Sequence, residues 1–307
     1  MKFSIIVPVY NIEDKIFRCL SSIENQSFSD FEVLIIIDGA TDGSKIICDE
    51  FEQRDRRFKV ISKPNGGLVS ARKYGAKFST GEYIINVDGD DYVDEDYLME
   101  TKTIIEEFSP DIIAFGFKEI SKNLCKYKNN ISQGFYDERQ ILQMRESIIY
   151  DRNCKGFQGG FLINTIWTKV VRRVIYQKCQ NLIPNHITVG EDLILNAYLM
   201  LEIHSLYVSN KSFYNYVISS ESMMHKCNVD NFRHYIDVST ELKKISYINQ
   251  DDINVYLFHA FISEIRKVAK SSDNYNLFKE IISKNEEIAK LHKYAKKANI
   301  ERYDFEF

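Results

Sequence analysis

The sequence predicts an α/β protein: a mostly parallel sheet flanked by helices, with a helical segment at the C-terminal end. Three observations carry that reading. Apolar runs alternate with stretches of helical periodicity over about the first hundred residues, the pattern of βαβ units with right-handed crossovers. Those runs, at residues 3–9, 31–37, 58–62 and 84–87, are largely apolar rather than alternating, as strands covered on both faces are. Each run also ends in residues suited to holding a ligand: Pro8-Val9-Tyr10-Asn11, Asp38, Lys63-Pro64-Asn65 and Asp88-Gly89-Asp90-Asp91. Ligands in open α/β sheets gather at the carboxyl ends of the strands.

Taken in order, the strand at 3–9 is followed by Asn11, a good N-cap, and by Ile16, Cys19, Leu20 and Ile23, whose spacing marks one helix face. The strand at 31–37 leads to Thr41 or Asp42 as cap of a helix carrying Ile46, Ile47 and Phe51. After the strand at 58–62, Leu68, Ala71, Gly75 and Phe78 give a third helix. The next run ends in the acids. Beyond Asp94 the periodicity predicts a helix through Leu98, Thr101, Ile105 and Phe108, then a strand over 111–117. Residues 120–160 are polar and irregular. The segment 167–173 reads as a helical turn or two, and Gly190-Glu191-Asp192 opens a helix with Ile194, Ala197, Tyr198 and Leu201 on one face. From about residue 228 the pattern is helical, through 257–268 and 277–291, so the expected division is 1–225 and 226–307.

Composition excludes several classes. At 307 residues, 44% hydrophobic and 27% charged, the chain has the make-up of a globular protein rather than a disordered or fibrous one. A formal net charge of -4 gives no reason to expect nucleic acid. Two short basic segments, Arg54 with Arg56-Arg57 and His292-Lys293 with Lys296-Lys297, read as solvated faces. Six scattered cysteines form no C-x-x-C pair and no zinc spacing, which points to a reducing cytoplasm. The run 1–8 is too short for a signal peptide, and no stretch of about 18 apolar residues occurs.

Asp88, Asp90 and Asp91 crowd three acids within four positions at a strand end, where they repel one another unless something positive sits among them. A hard cation, Mg2+ or Mn2+, favours a few carboxylate oxygens completed by phosphate. A solvated acidic turn is the competing reading, and the convergence of four such loops on one sheet edge argues against it.

These motifs resemble a family. Residues 4–11 (Ser-Ile-Ile-Val-Pro-Val-Tyr-Asn), 38–44 (Asp-Gly-Ala-Thr-Asp-Gly-Ser), Asn65-Gly66-Gly67 with Ala71-Arg72, and Asp88-Gly89-Asp90-Asp91 look like successive motifs of the family-two glycosyltransferases. The likeness resumes more thinly at Trp167-Thr168-Lys169 and Glu191-Asp192. The resemblance implies a GT-A, Rossmann-like fold, an inverting reaction on a UDP-sugar, and Mn2+ or Mg2+. It implies transfer of one hexosyl or N-acetylhexosaminyl unit to a glycan or lipid-linked oligosaccharide, in bacterial surface-polysaccharide synthesis of the capsule or lipopolysaccharide kind. The expected place is the cytoplasm, peripheral at the inner face of the plasma membrane, and a homodimer is compatible with the reading.

By the same resemblance, Pro8, Val9, Tyr10 and Asn11 line the base and ribose pocket with Asn65, Gly66 and Gly89. Asp38 accepts from a uracil-like imide N–H, a task that suits a carboxylate. Arg72 reaches the diphosphate, guanidinium being a good phosphate partner; an ordinary surface arginine is the alternative. Asp88 and Asp90 are the D-x-D that holds the metal, with Asp88 also beside the nucleotide. Asp192 is the general base, placed at a predicted helix start where the dipole favours an ionised carboxylate; two helix-start acids, Glu191 and Asp192, would look the same. Asp91, Trp167, Lys169, Glu191 and His225 are candidates for acceptor or phosphate contact, though core packing accounts for Trp167 equally well. The chain departs from the family at Ile37, where a second acid is common, at Ala40 in place of serine, and at Lys73 in place of asparagine. It has no Q-x-x-R-W sequence and no apolar run long enough to span a membrane, which argues against a processive synthase. A non-catalytic nucleotide-binding module is the rival function. It is disfavoured because binding alone needs no candidate base beside the metal acids. A nucleotidyltransferase ranks last, since Tyr10-Asn11-Ile12-Glu13-Asp14 replaces the Gly-rich basic loop it would need.

Overall fold

The computed structural model describes residues 2–121, 125–145, 148–149, 162–218, 231–254, 256–257 and 260. The strand β1 (Phe3–Val9) lies between β2 (Phe31–Asp38) and β4 (Tyr83–Asn86), with β3 (Phe58–Lys63) outside β2, and all four run parallel. Beyond β4 the sheet becomes mixed. It continues through β9 (Lys169–Arg172), β6 (Ile112–Ile120) and β10 (Leu206–Val217) to the two-residue β5 (Tyr92–Val93). β9 is antiparallel to both β4 and β6, whereas β6 and β10 are parallel. Two short strands, β7 (Cys125–Tyr127) and β8 (Gly134–Tyr136), add to β6 and β10.

Successive residues of β1 and β2 point to opposite faces, and both faces are covered. Phe3, Ile5, Val7, Val33 and Ile35 pack on one side with α1 (Glu13–Glu24), α2 (Ser44–Arg54) and α4 (Tyr97–Phe108) through Ile16, Leu20, Phe51 and Leu98. Ile6, Leu34, Ile36 and Ile84 face the other core. That core is shared with α3 (Gly67–Phe78), α6 (Arg173–Leu182), α7 (Glu191–Glu202) and α8 (Asn231–Leu242) through Val69, Tyr176, Ile194 and Val238. Gly75 sets how closely α3 approaches the sheet: a Cβ there would lie 2.5 Å from Ile6 Cγ2. This close approach brings Arg72, one turn earlier, down onto the strand ends.

The segment 167–173 is helical only at its ends, Trp167 and Thr168 in a 3-10 turn and Arg173 opening α6, with strand between. One 3-10 turn, Ile166–Thr168, leads straight into β9. Val170 and Val171 are β-branched and wholly buried between β4 and β6, a setting that favours a strand whatever the local signal. Helix α6 and the long strand β10 went unpredicted; β10 is broken by Ser209, Asn210 and Lys211, where its register on β6 shifts. The irregular stretch after 120 contains α5 (Glu138–Met144), opened by a capping box between Asp137 and Gln140. Of the C-terminal segment, α8 and the residues to Leu257 share the α7 core through Leu242, Ile245 and Ile253. The helices expected at 257–268 and 277–291 lie outside the described residues, save Leu257 and Ala260, which are buried. Arg54 pairs with Glu24 and Arg57 with Asp55, and the second basic segment lies outside the described residues. No helix among the described residues is long and apolar enough to cross a membrane.

Candidate active site

The loop after β4 carries the D-x-D acids. Asp91 N donates to the Asp88 carbonyl at 3.0 Å, closing a tight turn. A Cβ on Gly89 would lie 2.4 Å from Ile12 Cδ1, so glycine lets this turn tuck against the loop after β1. Asp91 points inward. Its Oδ1 accepts from Val217 N at 2.8 Å and its Oδ2 from the Tyr214 hydroxyl at 2.8 Å, while that hydroxyl accepts from Asp88 N at 3.1 Å. Burial, with Asp88 and Asp90 alongside, pushes the Asp91 carboxyl up to about 8. Asp91 therefore braces the turn against β10, and Asp88 and Asp90 are left as the outward pair. The Asp90 carbonyl accepts from Arg18 at 2.6 Å.

Arg72 lies beneath the cleft, 1% exposed. One guanidinium nitrogen donates to Asp192 Oδ1 at 2.7 Å and to Glu191 Oε1 at 3.3 Å; the other donates to Asp88 Oδ1 at 3.1 Å. The resemblance directs Arg72 to a diphosphate, whereas the structure engages it with three carboxylates from two loops. A buried cation of this kind is what those acids require. Burial raises the carboxyls of Asp88 and Glu191 above the ordinary range, with Arg72 pulling the other way. Glu191 faces inward as the helix α7 begins, while the Asp192 side chain is 16% exposed. Asp192 Oδ2 accepts from Ile166 N at 3.0 Å, so both of its oxygens are held.

Lys63, Asn65 and Asp38 join the next two loops. The Asp38 carboxylate accepts from Gly66 N at 3.0 Å and Gly67 N at 2.8 Å, and pairs with Lys63. The Asn65 amide donates to the Asp38 carbonyl at 3.0 Å. Asp38 thus ties the first N–H groups of α3 to the end of β2, in place of the open acceptor that the imide reading asks for. Gly39, at φ +71, is the turn that permits this: a Cβ there would lie 2.8 Å from Asn65 N. Asn11, at φ +50, accepts from Thr41 N at 2.8 Å, and the Tyr10 ring is 53% exposed beside it. Pro8 and Val9 end β1 in the same rim. Lys73 donates to Asn185 Oδ1 at 2.9 Å and to the Ile183 carbonyl.

Trp167 is buried. It stacks on Tyr214 with ring centroids 4.3 Å apart and meets Phe117 edge-on at 5.0 Å. Lys169, also buried, donates to the carbonyls of Ile163 and, at 2.8 Å, Thr165. Burial lowers its ammonium to about 7. His225 lies outside the described residues. Sequence reasoning missed Ile166 N–H, which no side-chain pattern reveals, and Tyr214, whose strand went unpredicted.

Among the described residues, no group of three or more His, Cys, Asp or Glu forms a metal site on its own. Asp88 and Asp90 fit the other arrangement, in which Mg2+ or Mn2+ takes one or two carboxylates and completes its shell with phosphate and water. Burial, and then the nearby Asp192 and Asp90, raise the Asp88 carboxyl against the pull of Arg72.

The parallel order of β3, β2, β1 and β4, continued as a mixed sheet with helices on both faces, is that of a GT-A fold. A model described as glycosyl transferase family 2 matches residues 4–164, and the chain belongs to that family. It is 34% identical over 228 residues to the glycosyltransferase GlyG of Streptococcus pneumoniae, covering 72% of each chain. It is 30% identical over 224 residues to the glycosyltransferase GlyA of the same organism, covering 72% of this chain but only 31% of GlyA. The solved structure of S. aureus TarS 1-349 in complex with UDP-GlcNAc shares the fold, with TM-score 0.64, 19% identity, and coverage of 88% of this chain and 80% of that one.

Proposed function

We propose that the protein is an inverting, non-processive glycosyltransferase. It moves one hexosyl or N-acetylhexosaminyl unit from a UDP-sugar to a hydroxyl of a glycan or lipid-linked glycan. Residues 1–225 form the donor-binding and catalytic part. The observation that carries this is the placement of Asp192. Arg72 and Ile166 N–H occupy one position on each carboxylate oxygen, and a carboxylate offers about four such positions. The positions left over, with the side chain 16% exposed, leave the group open to an acceptor hydroxyl.

In the step that follows, the acceptor oxygen bonds to the anomeric carbon from the face opposite UDP. The anomeric C–O bond breaks with its electron pair leaving on the diphosphate, and the hydroxyl proton passes to Asp192. A divalent ion on Asp88 and Asp90 would supply charge stabilisation for the leaving diphosphate. Arg72 holds Asp88 and Asp192 at a fixed separation, so that the leaving-group side and the base side of the cleft are set by one residue. The exposed Tyr10 ring offers a face to the uracil base. TarS, solved with UDP-GlcNAc, supports uridine as the nucleotide. The setting that goes with this reading is the inner face of a bacterial membrane, where surface polymers are assembled.

Calorimetric titration of UDP, GDP, CMP and ADP, each with and without Mn2+, tests the donor. UDP alone should bind, more tightly with the metal, and Asp90→Ala should remove the metal's contribution. Binding of none of the four, or preference for another nucleotide, would overturn the reading.

A further inference from the structure

We infer that Lys169 is a positioning residue for Asp192, acting through the turn that precedes β9. The inference rests on Asp192 being the general base, and it departs from the acceptor or phosphate contact that the sequence motif suggests.

The geometry is a short chain of contacts. The Lys169 ammonium, 1% exposed, gathers two carbonyls of one loop, Ile163 and Thr165, and lies 3.4 Å from Thr168 Oγ1. A second set of bonds closes the same loop: Thr168 Oγ1 donates to the Thr165 carbonyl at 2.9 Å, and Ile163 N donates to Asn129 Oδ1 at 2.9 Å. The next peptide N–H, that of Ile166, points the other way and holds Asp192 Oδ2 at 3.0 Å. Immediately after it, Trp167 stacks on Tyr214, whose hydroxyl accepts from Asp88 N. One turn therefore fixes the base at Ile166 and leans on the metal loop at Trp167, and Lys169 is the cation at its centre.

Burying an ammonium is costly unless it is well paired. An apolar side chain at this β9 position would fill the space without that cost. What lysine adds is a point from which donors hold neighbouring carbonyls at fixed places, and so a fixed direction for the N–H between them and the base. Catalytic carboxylates must be held to a fraction of an ångström.

The test compares the full-length wild type with Lys169→Met, which keeps the stem and removes the donors, and Lys169→Gln, which restores a neutral donor. With a UDP-sugar and acceptor that the wild type uses, Lys169→Met should lower kcat by about 10²-fold while KM for the donor and UDP affinity stay within about threefold. Lys169→Gln should recover part of the loss. In an Asp192→Asn background, Lys169→Met should cost nothing further, because the group it positions is gone. Unchanged kcat in Lys169→Met, or a loss confined to KM, would overturn the inference. So would an undiminished loss in the Asp192→Asn background. Full turnover by Asp192→Asn itself would instead overturn the reading on which the inference rests. Hydrogen exchange on the wild type needs no variant: the amides of residues 163–168 should be protected to the level of β9, and free exchange there would refute a fixed turn.

Discussion

Replacing Arg72 by methionine probes the electrostatic centre of the site. The guanidinium is the only cation that bonds Asp88, Glu191 and Asp192 among the described residues, and it is 1% exposed. Removing one partner of a buried ion pair costs about 3–5 kcal/mol, because it strands the other charge. Here three acids are stranded, but each can take up a proton instead, at about 1.4 kcal/mol per unit of pKa rise. The loss should therefore be about 3–5 kcal/mol at pH 8 and roughly half of that at pH 5.5. The sign follows from linkage. Burial already holds Asp88 and Glu191 above their ordinary range, and without the cation they rise further, so the folded variant binds more protons than the wild type and its loss shrinks as pH falls. Urea denaturation at the two pH values measures this, given a cooperative transition. Arg72→Lys should recover part of the stability without recovering turnover, since a point charge cannot span Asp88 and Asp192 as the planar fork does. A loss under about 1 kcal/mol with no pH dependence would refute the neutralising role.

Three further expectations concern the surroundings. Tyr214→Phe removes the hydroxyl between Asp91 and Asp88 N; it should destabilise by about 1–3 kcal/mol and weaken metal-dependent UDP binding, measured by denaturation and calorimetry. Gly75→Ala puts a methyl 2.5 Å from Ile6 Cγ2 and should cost about 1–3 kcal/mol in the same denaturation assay. Glu32 is 1% exposed; burial opposes its ionisation, but hydrogen bonds from Lys59, Thr80 and Ser4 outweigh this and hold it at about 2, below the ordinary 4.5. Its folded value is depressed, so its contribution, at most about 3 kcal/mol, is present above pH 4.5 and lost as pH falls toward 2. Glu32→Gln should flatten that acid limb of a stability–pH curve.

The parallel half of the sheet was legible because β1, β2 and β4 are largely apolar on both faces and the loops after its strands carry recognisable ligand residues. Asp88, Asp90 and Asp192 stand out in the sequence for the same reason: each lies at the end of a regular element, where acids are conspicuous. What could not be read were contacts made by buried polar groups. Arg72 and Lys169 look like surface cations in a sequence, yet both are fully covered, and nothing in spacing says whether a guanidinium faces phosphate or carboxylate. Asp38 shows the same limit, since its partners are backbone N–H groups of Gly66 and Gly67. The segment at 167–173 was misread because Val170 and Val171 take strand geometry from the neighbours that enclose them. β10 escaped notice because polar residues interrupt it at its register shifts.

The most direct test of the account is turnover by Asp192→Asn, with UDP binding measured on the same preparation. The amide keeps the side chain's shape and an oxygen for Arg72, but cannot accept the proton. Transfer should fall by about 10²–10⁴-fold while UDP affinity stays within about threefold of wild type. Turnover close to wild type would remove Asp192 from the chemistry and contradict the mechanism proposed for this site.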